Sequence, residues 1–147
     1  MKKLLLLSLA CAALTVGRAQ VRASYAALVG TQWHRVSPSH TDVTKDLAFT
    51  NDKVVSSVFF RTYKDTIYNR QPFYLSDTVP ATFDTTLVAH ADSGQYLILY
   101  NKKARAMESY RIMQLSQSRM QLFYHAKPSI LEGTDNTVVY EAVAPRK

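Results

Sequence analysis

From residue 31 onward, short β-branched and aromatic runs alternate with clusters of turn residues, and no helical period persists. The runs Thr31–Ser37, Lys45–Thr50, Lys53–Arg61, Thr66–Asn69, Phe73–Thr78, Thr82–His90, Gln95–Asn101, Met107–Ser116, Met120–Lys127 and Thr137–Ala144 predict strands. The stretch from Thr66 to Thr78 reads as one bent strand or as an edge hairpin. Asn51-Asp52 suits a hairpin turn, and Asp92-Ser93-Gly94, Gln117-Ser118 and Gly133-Thr134-Asp135-Asn136 mark further turns. Pro38, Pro72, Pro80 and Pro128 fall at or beyond strand ends, where a missing amide donor does little harm. Ahead of these runs, Tyr25, Leu28 and Val29 recur at helical spacing. They predict a short helix closed by Gly30.

Alternation assigns the faces. Tyr96, Ile98 and Tyr100 share one parity, as do Met120, Leu122, Tyr124 and Ala126, and both sets are expected to face inward. Gln121, Phe123 and His125 take the other face of the second strand. Val54, Ser56, Val58 and Phe60 form another set, and Val138 and Tyr140 continue the pattern near the C-terminus. Between Met107 and Ser116 the parity breaks, with Tyr110 and Ile112 on one side and Met113 and Leu115 on the other; a bulge near Ile112 reconciles them. Turn-linked strands without helical crossovers imply antiparallel neighbours, and closure removes the edges. The expected fold is all-β: an antiparallel up-and-down barrel of about eight strands with a short N-terminal helix.

The N-terminus changes the picture. Met1-Lys2-Lys3 is a short positive start, Leu4 to Val16 is apolar, and Gly17-Arg18-Ala19 offers small residues for cleavage before Gln20. Residues 1–19 are thus expected to be a signal peptide and 20–147 the barrel domain, exported to the periplasm or the exterior. The apolar stretch is shorter than the about 20 residues that a membrane-spanning helix needs. Cys11 is the single cysteine. In Ser8-Leu9-Ala10-Cys11 it half resembles a lipidation site, the alternative being an outer-membrane lipoprotein; Ser8 and the apolar Ala12 to Val16 depart from that motif. Loss of Lys2, Lys3 and Arg18 takes the formal charge from +7 to +4, a mildly basic surface.

Leu28-Val29-Gly30-Thr31-Gln32-Trp33 resembles the opening of bacterial lipocalin-like domains, small exported barrels that commonly begin Leu-Val-Gly-Thr-Trp. Leu47 to Asp52 is similar to their second strand and turn, and Tyr110 to Tyr124 to a late hairpin. Gln32 makes the spacing Gly-x-x-Trp instead of Gly-x-Trp. Either the strand starts one residue later, or Trp33 is not the tryptophan of the barrel floor. The family's late arginine has no clear counterpart, since Arg111 lies early and Arg146 beyond the last strand. A second class of small exported β proteins, opening Gly-Thr-x-Trp, fits that spacing. The resemblance implies a barrel that holds a small ligand.

The remaining chemistry is sparse. His34, His40, His90 and His125 lack metal-ligand spacing, no serine lies in a Gly-x-Ser-x-Gly elbow, and no glycine loop could cradle phosphate. No enzyme, metal or cofactor is expected. Arg61, Lys64 and Arg70 interleave with Tyr63, Tyr68, Phe73 and Tyr74. That mixture can bind single-stranded nucleic acid, but export favours an edge hairpin whose side chains cover the core, and no nucleic-acid partner is expected. Lys102, Lys103 and Arg105 form a basic turn that could meet anionic headgroups at a membrane surface. Inward tyrosines need hydroxyl partners and suggest a partly polar interior. Trp33, Tyr96, Tyr110, Leu122, Tyr124 and Tyr140 are the expected ligand-binding residues, and a small hydrophobic or amphipathic molecule is the expected partner. The alternative is a solid barrel whose loops bind a protein or cell surface. The sequence leaves the oligomeric state open.

Overall fold

The computed structural model describes residues 20–36, 41–90, 92–124 and 136–144. The expected signal peptide, Cys11, His40, His125, Ala126 and Pro128 lie outside them. Eight antiparallel strands close into a barrel. Ahead of it, β1 (Ala23–Ser24) leads into α1 (Tyr25–Leu28). The barrel strands are β2 (Gln32–Arg35), β3 (Val43–Phe49), β4 (Lys53–Phe60), β5 (Asp65–Ser76), β7 (Tyr96–Asn101), β8 (Ala106–Leu115), β9 (Arg119–Tyr124) and β10 (Thr137–Ala142). Between them, β6 (Ser93–Gly94) pairs with β1 outside the barrel. Each barrel strand pairs with its neighbour in order, and β10 returns to β2.

One end of the barrel is plugged. Ser24 caps α1 by accepting from the Ala27 amide at 3.2 Å, and Leu28 is buried beneath the helix. Gly30 turns the chain out at φ +81°, a conformation that favours glycine, and its amide donates to the Phe49 carbonyl at 2.8 Å. The β1–β6 clip presses on the end of β5. There a Cβ on Gly94 would lie 2.4 Å from the Ser76 backbone nitrogen, so no side chain fits. Phe73 is fully buried at this end, stacked on Tyr25 at 5.8 Å and edge-on to Phe49 at 5.4 Å.

Two departures from the sequence pattern shape the rest. Thr82–His90 is not a strand but a loop with a 3-10 turn at Thr85–Leu87. Asp84 redirects it: its carboxylate accepts from the Thr86 amide at 2.9 Å and the Thr86 hydroxyl at 2.7 Å, which holds its pKa below the usual range. Phe83 then lies over Tyr74 and Tyr100 on the outside of β5 and β7, with ring centroids 5.1 and 5.3 Å apart. The Tyr96–Ile98–Tyr100 face is consequently the outer face of β7. Leu97 and Leu99 point inward instead, opposite Leu75 and Phe73. β7 is apolar on both faces because both are covered, so its alternation carried no sign.

The stretch from Thr66 to Thr78 is one strand, β5. Its ladder with β7 covers Phe73–Ser76 and stops at Pro72. Phe73 donates across to Asp52 at 3.4 Å, so the amide that proline lacks is the one that would face β7. From Asp65 to Arg70, β5 therefore stays paired with β4 alone among the described strands, and the hairpin overhangs the barrel.

Candidate functional site in the barrel interior

Register places inward side chains in three levels. The floor, at the α1 end, is apolar and closed: Trp33, Phe49, Val54, Leu97 and Met120 are buried there. Above it runs a polar belt in which Lys45, Ser56, Asn69, Glu108 and Tyr110 are only half-buried although they face inward. Above the belt, on the overhanging hairpin, Val58, Phe60 and Ile67 are apolar inward positions, with Asp65 opposite Phe60 at the tip. Inward side chains are thus partly exposed down to the belt and buried at the floor.

The most ordered part of the belt lies on β7 and β8. Glu108 accepts from Asn101 Nδ2 at 3.1 Å and from the Tyr110 hydroxyl at 3.2 Å. Asn101 is fixed in turn, because its Oδ1 accepts from the Lys103 and Ala104 amides, both at 3.1 Å, within the turn that joins β7 to β8. Arg105 completes that turn at φ 51°. Tyr110 lies against Tyr124, its cross-strand partner, at 4.9 Å between centroids. Burial pushes the Tyr110 hydroxyl's pKa well above its ordinary value, and the negative charge of Glu108 adds to the rise.

Gln71 is the anomaly. It faces inward from β5 opposite Val54, is only 5% exposed, and its Nε2 finds no acceptor among the described residues. A buried donor left unpaired costs about 1–3 kcal/mol. Phe73 faces Leu99, and the next inward positions towards the belt are Gln71 on β5 and, on β7, Asn101, which bonds Glu108. The sequence signal for it was the inward run Asn69, Gln71, Phe73, Leu75, which changes from polar to apolar in mid-strand.

The expected site residues divide accordingly. Tyr110, Tyr124 and Tyr140 converge on the belt, with Tyr140 opposite Met120 and Arg35. Leu122 is buried just beneath them, opposite Ile112. Trp33 does face inward although Gln32 precedes it, because β2 begins at Gln32. It forms part of the sealed floor, with Nε1 donating to the Thr31 hydroxyl at 2.7 Å, and so underlies the belt without lining it. Tyr96 is the correction: it points outward, opposite Ser76 and Arg111, and cannot line the interior. Gln71, Glu108, Asn101 and Asn69 were not anticipated, since single polar residues inside strands read as solvent-facing.

Elsewhere the surface explains several sequence features. His34 Nδ1 lies 2.5 Å from a carboxylate oxygen of Asp46, its cross-strand partner on the outer face. Among the described residues, no three His, Cys, Asp or Glu side chains gather as metal ligands would. The basic aromatic stretch does not form one surface: Phe73 and Tyr74 are buried, while Tyr63 and Tyr68 are 78% and 56% exposed on the overhang. No helix among the described residues is long and apolar enough to cross a membrane. Compared with protein families, curated proteins and solved structures, the chain matches none.

Proposed function

We propose that this chain is an exported, non-enzymatic binding protein of the lipocalin-like kind, released by cleavage before Gln20, that takes a small amphipathic molecule into its barrel. The carrying observation is the interior itself: a closed apolar floor, a half-buried polar belt, and apolar inward residues above it. A solid barrel would bury the belt as it buries the floor. Isothermal titration with fatty acids, fatty alcohols, sterols and aromatic probes tests the reading. At least one class should bind. Tyr124→Asp should abolish that binding, because it sets an unpaired charge against the Tyr110 ring. Gln121→Asp, on the outer face of the same strand, should leave it intact. Silence across the panel, or equal effects at 124 and 121, would refute it.

A specific observation favours a second reading, a module that docks a protein partner. The Asp65–Arg70 edge of β5 has no strand on its far side among the described residues, and Tyr63, Ile67 and Tyr68 are exposed beside it. Such an edge can accept an added strand. If that is its use, Tyr68→Ala should weaken partner capture and leave small-molecule titrations unchanged.

A further inference from the structure

We infer, on the reading that the interior binds an amphipathic molecule, that the ligand enters head first, its uncharged donor–acceptor head seated between Gln71 and Glu108 and its apolar tail along the overhanging hairpin.

Three observations carry this. The floor offers a tail nothing to enter, since Val54, Phe73 and Leu97 already pack it and are 0–1% exposed. The apolar inward positions that remain open are on the far side of the belt, where Val58 faces Ile67 and Ile67 is still 51% exposed. At the boundary, the Gln71 amide is buried with a donor unspent, which an acceptor on the head would satisfy. The Glu108 carboxylate, on β8 with β7 between it and β5, already accepts from Asn101 and Tyr110, but two oxygens provide about four acceptor sites, so it can take a further proton donor.

Head chemistry follows from that pair. A primary carboxamide has a carbonyl for the Gln71 donor and an N–H for Glu108. A carboxylate satisfies Gln71 but brings a second negative charge beside Glu108 in a partly desolvated wall. An ammonium suits Glu108 yet leaves the Gln71 donor unpaired and faces it with like polarity. The inward cations Lys45 and Arg35 stand on β3 and β2, four and three strands around the ring from β8, so neither is a cross-strand neighbour of Glu108.

The experiment titrates octanamide, octanoate and octylamine into the full-length folded domain by calorimetry, for the natural chain, Gln71→Leu and Glu108→Gln. Octanamide should bind at least about tenfold more tightly than octanoate, as expected when one buried charged contact turns from favourable to repulsive. Gln71→Leu should weaken octanamide about tenfold, while Glu108→Gln should narrow the gap by improving octanoate. The natural chain's ranking needs no variant to fold, and thermal melts confirm folding of the other two. Octanoate binding as tightly as octanamide would overturn the head assignment. Tighter octanamide binding by Gln71→Leu would overturn the orientation, since a tail lying on the floor gains from leucine. Failure of all three probes to bind would instead overturn the underlying reading of the interior as a binding site, and this inference with it.

Discussion

Truncating Phe73 should reveal how much of the fold rests on the sealed end. The ring is wholly buried and contacts two others, Tyr25 stacked at 5.8 Å and Phe49 edge-on at 5.4 Å. Phe→Ala in such a setting costs about 3–5 kcal/mol, from lost transfer energy, the void and the two ring contacts. The matched control is Phe59→Ala, the same truncation on the outer face of β4, where the ring is 38% exposed. About 1 kcal/mol is expected there. Trp33, the single tryptophan, lies in the floor and reports its unfolding. With an m-value of about 2 kcal/mol per molar in urea, the Phe73→Ala midpoint should fall by roughly 2 M and that of Phe59→Ala by roughly 0.5 M. Similar midpoints for the two variants, with unchanged m-values, would refute the division into a sealed floor and a lightly packed outside.

Gly94→Ala should destabilise by about 1–3 kcal/mol, because its Cβ meets the Ser76 backbone at 2.4 Å and no rotamer change relieves that contact. Hydrogen exchange should locate the damage at the Tyr25 amide, which donates to Asp92 beside the β1–β6 clip. Tyr110 keeps its proton in the folded state above the ordinary tyrosine pKa of about 10, whereas the unfolded chain releases it there. Its contribution is therefore complete below pH about 10 and is lost as pH climbs further towards the folded value. Urea melts between pH 9 and 11 should show Tyr110→Phe losing stability less steeply than the natural chain. Some slope should persist, because burial also raises Tyr25.

What the sequence disclosed follows from how many faces each strand exposes. β9 and β10 carry Arg119, Gln121 and Glu141 on their outer parity, so Met120, Leu122, Tyr124, Val138 and Tyr140 announced their inward parity, and the β8 parity break announced the register shift between Ile112 and Gln114. β7 was illegible because Phe83 and its loop cover the outside, making both of its faces apolar. The Thr82–His90 run looked like a strand through its threonines and valine, but one carboxylate, Asp84, turned the backbone into a capped 3-10 turn. The belt was hidden for a different reason. Gln71, Asn101 and Glu108 come from three strands, and only barrel closure brings isolated polar positions to one level.

Adjacent serines on β4 offer the most direct test that the open half of the interior is where a ligand lies. Ser56 faces inward between Leu47 and Asn69, Ser57 faces outward between Asp46 and Tyr68, and both are half-buried. The chain from Gln20 onward contains no cysteine, so Ser56→Cys and Ser57→Cys each place a single thiol on one face. Iodoacetamide labelling should proceed at both positions in the free protein. Saturating 1-octanol should slow Ser56→Cys at least about fivefold, because its bound body would occlude the belt, and leave Ser57→Cys unchanged. Equal rates with and without 1-octanol at Ser56→Cys, under conditions where calorimetry shows it bound, would contradict binding inside the barrel.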